Sequence, residues 1–347
     1  MKVAFYTYPS AFQNVGGGEI LLLKMKEYLE KEGAQVDLFD PWHARIENYD
    51  VLQVFGSVKD CLGLVRVANT RRVKVAITPL WWSDFRRAIF TEGSLATKMG
   101  LVLRHGAKLV CPFIPSSRRN LLLASDLIFP NSEMEKKQIA RLFAVPSRKM
   151  RVLYNGVDPS FSNADPALFR RAHGRNPFVL GVGRIEPRKN QLNLIRAMKK
   201  IRGLRLVLIG SAVSGYEAYF QQCQEEGKSF TLFIPTLGHA EALLKSAYAA
   251  CELFVLQGWF ETPGLAALEA ALAGARVLVT SGGSTREYFK DLVDYLDPSS
   301  VSQMRQKIIK NLTLPKNDRL KERVLQNFTW ASIAKKTIGF YQEALEN

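Results

Sequence analysis

Three short segments hold residue types that suit a phosphate and a ligand rich in hydroxyl groups. The first is Gly181-Val-Gly-Arg-Ile-Glu-Pro-Arg-Lys-Asn190, between an apolar strand-like run and a helical stretch. Arg184 and Lys189 stand five apart across a loop containing Pro187. Such a loop can aim both cations at one point, Arg as a fork and Lys as a point charge, which suits a diphosphate. Arg188 is expected to face solvent. The second is Glu261-Thr-Pro-Gly-Leu-Ala-Ala-Leu-Glu269. A helix starting near Pro263, Gly264 and Leu265 offers free N–H groups to phosphate, and the two carboxylates can accept from sugar hydroxyls. Glu269 lies among Leu265, Leu268 and Leu272, so it calls for a polar partner. The third is Gly16-Gly17-Gly18-Glu19, where glycines after a first strand let backbone approach an anion at a helix start. It is not a GxGxxG pattern, and no acidic residue clearly takes the ribose of a nicotinamide cofactor. Each segment also has a plain reading: a tight turn, an exposed basic loop, a surface glutamate.

The elements that must position these residues alternate along the chain. Val3 to Tyr8 reads as strand, Glu19 to Lys31 as a helix stopped by Gly33, and Gln35 to Phe39 as strand again. Val51 to Phe55, Val73 to Thr78, Lys108 to Cys111 and Leu127 to Pro130 read as short buried strands. A second series begins after the polar stretch 163–176. Its strands are Phe178 to Val182, Arg205 to Ile209, Thr231 to Ile234, Leu253 to Leu256 and Arg276 to Thr280. Its helices are Gln191 to Lys200, Ala240 to Ala250 and Leu265 to Ala273, and Trp330 to Leu345 is an amphipathic tail helix. Strands alternating with helices imply α/β domains with parallel sheets covered on both faces. The expected division is an N-terminal domain 1–162, a linker 163–176, a C-terminal domain 177–329 and a tail helix 330–347. Two such doubly wound domains would face a cleft, with ligands at the carboxyl ends of the strands.

With 347 residues, two domains are the natural expectation, and 47% hydrophobic against 23% charged residues suits a globular chain. No apolar run has the length of a membrane span, and the start lacks the apolar core of a signal peptide, so a cytoplasmic location is expected. The four cysteines are far apart without CxxC or Cys/His ligand spacing, so a zinc site is not expected and free thiols are. The net charge is +16, and the stretch from Lys59 to Arg151 carries 18 Lys/Arg against 6 Asp/Glu. That local excess attracts an anionic partner or serves only as a solvated face. Arg86, Arg87, Lys98, Arg104, Lys108, Arg118 and Arg119 interleave with Phe90, Leu101, Leu103, Phe113 and Ile114, a pattern suited to the cytoplasmic face of an anionic membrane.

Taken together the segments resemble glycosyltransferase family 4, a retaining group with the GT-B fold, over nearly the whole chain. The GGGE loop fits its N-terminal GGxE pattern. SDLIFPNSEMEKKQI followed by VLYNGVDPSF is similar to its junction, GVGRIEPRKNQ to its basic loop, and WFETPGLAALEAALAGARVLVTSGGSTREYF to its E-x7-E signature. The resemblance implies two Rossmann-like domains facing a cleft and transfer of a sugar from a nucleotide-diphosphate donor. It places Arg184 and Lys189 on the diphosphate, Glu269 on the ribose, Glu261 on the transferred sugar, and the backbone at Gly264 and Leu265 on phosphate. Gly16 and Gly17 would reach phosphate from the first domain, Gly210 and Ile234 would pack the base, and the tail helix would return to the first domain. It implies retention by front-face attack, no metal and no cofactor beyond a UDP-, GDP- or ADP-sugar, which is itself a substrate. A glycan or lipid-linked envelope acceptor fits the basic stretch.

One departure bears on turnover. Many members carry a His after the strand corresponding to Val73 to Thr78, and this chain reads Thr-Pro-Leu-Trp-Trp-Ser-Asp from Thr78 to Asp84. His43, His105, His173 and His239 are all displaced from that place. Either Asp84 takes over acceptor activation, or the chain is a donor-binding regulatory or scaffold protein without turnover. Trp81 and Trp82 would stack on sugar, touch lipid or pack in the core. An epimerase of the same fold is a nearer enzymatic rival than a nucleic-acid binder, for which no recognition motif is present.

Overall fold

The structure is a computed structural model that describes residues 1–13, 16–82, 95–238, 241–316 and 318–346. The chain divides into two compact units, one made of Met1–Gly156 with Trp330–Asn347, the other of Val157–Thr329.

In the first unit, β1 (Lys2–Tyr6), β2 (Gln35–Leu38), β3 (Val51–Phe55), β4 (Lys74–Thr78) and β5 (Leu127–Ile128) form one sheet in the order β2-β1-β3-β4-β5. Every neighbouring pair is parallel. All five residues of β3 are buried, as a central strand covered on both faces requires. Leu21, Leu22, Met25 and Leu29 of helix α1 (Gly17–Lys31) share a core cluster with Trp330, Ile333, Ala334 and Tyr341 of the C-terminal helix. Helices α2 (Leu62–Thr70), α4 (Ser117–Ala124) and α5 (Glu133–Phe143) contribute to a separate cluster with Leu52, Val54, Val75 and Ile77. The C-terminal helix thus belongs to the first unit. Its Tyr341 hydroxyl donates to Gln53 Oε1 at 3.0 Å inside the sheet.

The stretch Lys108 to Cys111 is not a strand. It lies in and just beyond helix α3 (Leu95–Val110), because its apolar residues continue the helical spacing of Leu101 and Leu103. Asp84, Arg86, Arg87 and Phe90 lie outside the described residues. Trp81 is a packing residue, edge-on to Phe143 with ring centroids 4.9 Å apart.

In the second unit, β6 (Phe178–Val182), β7 (Arg205–Ile209), β8 (Thr231–Ile234), β9 (Leu253–Leu256), β10 (Arg276–Thr280) and β11 (Asp294–Leu296) form a parallel sheet in the order β11-β10-β9-β6-β7-β8. Leu194, Ile195 and Met198 of α7 (Gln191–Met198) and Met304 and Ile308 of α12 (Val301–Thr313) share one core cluster. Helices α9 (Ala242–Ala250) and α10 (Leu265–Leu272) bury most of their residues elsewhere in the unit. The strand order reverses between β6 and β9, and such a reversal opens a crevice at the strands' carboxyl ends. Two of the three segments singled out in the sequence follow these two strands. The expected linker 163–176 is instead part of this unit. It contains α6 (Ala167–His173), whose Phe169 is buried with its N–H on Ser246 Oγ at 2.7 Å. The polar composition there reflects the exposed side of a short helix.

One carboxylate ties two strand ends of the first unit together. Glu135 Oε2 accepts from Asn131 N at 2.6 Å and Oε1 from Trp81 N at 3.0 Å, so the chain after β4 and the chain after β5 meet on one side chain. Burial pushes this carboxyl up to about 7 from an ordinary 4.5, although both N–H donors favour the anion. The folded chain therefore binds this proton at pH values where the unfolded chain has released it. The resulting stabilisation is complete below the ordinary value and is lost as pH rises through the folded value. Relative to Glu135→Gln, wild-type unfolding free energy in urea should fall by about 3 kcal/mol between pH 4 and pH 8. A difference that stays flat over that range would contradict the assignment.

Candidate functional site

The C-terminal segments meet at the reversal of the second sheet. At the end of β6, Gly183 lies at φ +147° and Gly210, at the end of β7, at +152°. A Cβ on Gly210 would stand 2.1 Å from the Gly183 carbonyl oxygen, so only glycine permits this approach. Gly210 N donates to Ile234 O at 2.9 Å, which puts Gly210 beside the buried end of β8.

After Gly183 the chain makes a short helical turn, Pro187–Lys189, and Asn190 at φ +56° leads into α7. Asn190 is buried, and its Nδ2 donates to Gln257 O at 3.2 Å and Pro298 O at 2.8 Å. The loop after β9 is laced to this turn. Gln257 Nε2 donates to Lys189 O at 3.0 Å, and Trp259 N donates to Arg188 O at 3.1 Å. Lys189 Nζ donates to both carboxylate oxygens of Glu261, at 2.8 and 3.0 Å. Burial pushes the Lys189 ammonium below its ordinary value, and the Glu261 carboxylate opposes that shift.

Glu261 is itself held from behind. Its N–H donates to Gly282 O at 3.2 Å, and its carbonyl accepts from Ser284 N at 3.0 Å. Gly283 sits at φ +91°, where an added Cβ would stand 2.1 Å from Glu261 O. The Thr262–Pro263 peptide is cis, and Gly264 at φ +89° opens α10. The first N–H groups of that helix have no acceptor within it. Glu269, in its second turn, is buried and accepts from the Tyr248 hydroxyl of α9 at 2.8 Å. Burial, with the neighbouring carboxylate, pushes the Tyr248 hydroxyl well above its ordinary value, so it remains a donor. Tyr248 is the partner that the position of Glu269 demanded. No spacing rule pointed to it.

The structure brings Lys189 and Glu261 into direct contact and places Arg184 on the same short loop. Arg188 does not simply face solvent. Its guanidinium donates to Glu186 Oε1 at 2.8 Å and lies over the Phe260 ring, 5.6 Å from the centroid. Sequence reasoning gave Glu186, Asn190 and Gln257 no role. Gln and Asn side chains at loop ends announce no partner until the loops are side by side.

In the first unit, Gly16 is the extended residue before α1, and its N–H donates to Glu19 Oε2 at 2.8 Å. The glutamate of the GGGE segment is therefore a helix cap, further held by the Tyr8 hydroxyl at 3.2 Å. A Cβ on Gly17 would meet nothing within 4 Å. No group of three or more His, Cys, Asp or Glu fit to hold a metal occurs among the described residues.

The second unit is thus a doubly wound domain with an arginine, a lysine and two buried glutamates gathered at its sheet reversal and on the helix that follows. Residues 168–326 match the family model described as glycosyl transferases group 1, so this unit carries a domain of that family. An uncharacterized glycosyltransferase of Methanocaldococcus jannaschii is 28% identical over 234 residues, covering 62% of this chain and 59% of that one. The D-inositol 3-phosphate glycosyltransferase of Stackebrandtia nassauensis is 28% identical over 249 residues, covering 64% of this chain and 55% of that one. The chain thus matches little more than half the length of these curated relatives. Among solved structures, Anabaena HepE in complex with UDP and glucose superposes with a TM-score of 0.74 at 17% identity, covering 99% of this chain and 100% of that one. Sucrose-phosphate synthase from Thermosynechococcus elongatus gives 0.75 at 17% identity, covering 99% and 98%. The fold is that of the GT-B glycosyltransferases.

The Lys189–Glu261 contact yields a sharp expectation. Glu261→Gln leaves a half-buried ammonium without its counter-charge, whereas Lys189→Met with Glu261→Gln removes both charges. The single variant should lose about 2–3 kcal/mol of unfolding free energy, and the double variant should recover most of it. Additive losses in a denaturant double-mutant cycle would show that the pair is not coupled.

Proposed function

We propose that this chain is a retaining, metal-independent glycosyltransferase that moves a sugar from a nucleotide-diphosphate donor to a glycan or lipid-linked acceptor. The observation that carries the reading is the contact of Lys189 with Glu261 at the sheet reversal, with Arg184 on the same short loop. Breaking the bond between the sugar's anomeric carbon and the phosphate oxygen builds negative charge on the leaving diphosphate. Arg184, Lys189 and the N–H groups near Pro263, Gly264 and Leu265 are suited to stabilise that charge. Glu261 then holds hydroxyls of the transferred sugar, Glu269 those of the ribose, and Gly210 and Ile234 pack the base. Retention follows if the acceptor oxygen attacks the face that the diphosphate leaves, with the leaving phosphate oxygen taking the acceptor's proton. Asp84 remains the residue proposed to orient the acceptor hydroxyl in place of histidine, with the hydroxyl's proton still passing to the leaving phosphate.

The test is incubation with UDP-, GDP- and ADP-sugars in the presence of chelator, followed by assay for released nucleoside diphosphate. Release that Lys189→Met abolishes supports transfer. Thermal stabilisation by a nucleoside diphosphate, with no release against any acceptor fraction, favours a donor-binding protein without turnover. Gly17→Ala adds a finer check. The added methyl has open space, so stability should be kept or rise by up to about 1 kcal/mol. Turnover should nevertheless fall if backbone there approaches a phosphate.

An anionic membrane surface is proposed as the place of the acceptor. Helix α3 and the chain after it leave Leu103 67%, Val110 88% and Phe113 66% exposed, beside Lys108. Not every cation of this stretch is available to lipid. Arg118 donates to Ser57 O at 3.0 Å and Arg119 to Phe143 O at 2.9 Å, so both also hold the fold. No helix among the described residues is long and apolar enough to cross a membrane, so the contact would be shallow. At low salt the chain should co-sediment with vesicles containing phosphatidylglycerol and not with pure phosphatidylcholine. Leu103→Ser with Phe113→Ser should reduce that binding severalfold. Equal binding to both vesicle types would refute the membrane part alone.

A further inference from the structure

Three cations crowd the turn after β6, and one buried carboxylate stands among them. Glu186 is 9% exposed and follows Arg184 by two residues. Its Oε1 accepts from Arg188 at 2.8 Å and lies 3.6 Å from the nearer Arg184 nitrogen. The two arginines are held unequally. Arg188 is fixed by Glu186, by the Phe260 ring and by the bond from Trp259 N to its own carbonyl. Arg184 is beyond hydrogen-bond distance of the carboxylate, and its side chain is 55% exposed. A guanidinium poised in this way can turn to an incoming anion with little loss, because its counter-charge remains satisfied by a second guanidinium.

We propose that Glu186 is a positioning residue that competes with the donor diphosphate for Arg184, with Arg188 acting through Glu186 as the anchor that limits this competition. This rests on the reading of Arg184 and Lys189 as the diphosphate site. Arg184, Arg188 and Lys189 carry three positive charges, and Glu186 and Glu261 carry two negative ones. With Glu261 of the loop after β9 counted, the group carries a net charge of only +1, and an incoming anion gains Arg184 by drawing it away from Glu186. After the sugar is transferred, the same carboxylate recaptures Arg184 and helps the diphosphate leave. A carboxylate that served only to shape the turn would, when altered, loosen the site and weaken anion binding. A competitor, when neutralised, strengthens it.

Calorimetric titration of UDP, GDP and ADP into wild type, Glu186→Gln, Arg188→Gln and the double variant distinguishes these roles. Glu186→Gln keeps the shape and removes the charge, so the best-bound nucleoside diphosphate should bind about five- to tenfold tighter. If transfer is observed, KM for the donor and kcat should both fall, because product leaves more slowly. Arg188→Gln should bind more weakly than wild type, since Glu186 then turns wholly to Arg184. In the Glu186→Gln background, Arg188→Gln should change nothing. Unchanged or weaker binding in a folded Glu186→Gln protein overturns the proposal. So does an Arg188→Gln effect of the same size in both backgrounds. Should Glu186→Gln fail to fold, Arg188→Gln alone decides, and affinity equal to wild type overturns it. Wild-type protein that binds none of the three nucleotides would instead remove the diphosphate site itself.

Discussion

An ammonium half-buried at the rim of a parallel sheet needs a counter-charge, and in this chain the counter-charge comes from a different loop. Lys189 belongs to the turn after β6 and Glu261 to the loop after β9. Joining them fixes the separation of two loops whose strands lie on either side of the order reversal. The other bonds of the region reinforce the same join. Asn190 Nδ2 donates to the Gln257 carbonyl, Gln257 Nε2 donates to the Lys189 carbonyl, and Trp259 N reaches back to Arg188. Glu261 can be offered to Lys189 only because Gly283 lets the chain after β10 support it at van der Waals limits. The arrangement is densely hydrogen-bonded on the side facing the sheet, and Arg184 is its exposed member.

Five of the six strands of the second unit were legible in the sequence almost to the residue, while its β11 and the short helix within 163–176 were not. Phe178–Val182, Arg205–Ile209, Thr231–Ile234, Leu253–Leu256 and Arg276–Thr280 are the strands read from the apolar runs. These strands are largely buried, so their composition is set by burial on both faces and their ends by the polar loops that follow. The first unit was read less well. Lys108 to Cys111 is apolar enough for a strand, but it finishes a helix with a largely exposed apolar side, which periodicity alone assigns to burial. The polar stretch 163–176 misled for the opposite reason. A seven-residue helix with one buried Phe has too little apolar pattern to stand out.

The candidate site was legible as residue types and not as contacts. Arg184, Lys189, Glu261 and Glu269 stood out because charges beside strand ends and inside an apolar helix require a reason. Their partners did not stand out. Tyr248 is an ordinary aromatic in an alanine-rich helix, and Glu186 is one acid among basic neighbours. Each gains meaning from a neighbour distant in sequence or from a turn geometry that only the folded chain defines. Glu19 shows the converse. It was grouped with glycines that suit phosphate, yet its carboxylate caps a helix, and an added Cβ would meet nothing at Gly17 but would stand 3.2 Å from Leu80 at Gly18.

The two glutamates eight positions apart illustrate how one helix start separates two tasks. Glu261 precedes α10 and is neutralised by a cation, so both of its oxygens are engaged by charge-assisted bonds. Glu269 is inside α10 and meets a phenol, which donates one bond to one oxygen and removes no charge. An incoming hydroxyl must therefore share Glu261 with Lys189. If the same cation turns toward a phosphate, it loosens its hold on Glu261 in the same motion. On the proposed reading, phosphate and sugar recognition would be coupled through one ammonium, whereas Glu269 is held by a hydroxyl that stays protonated and takes no part in that coupling. That asymmetry follows from which side of the helix start each residue occupies, and it gives the spacing between them a physical reason.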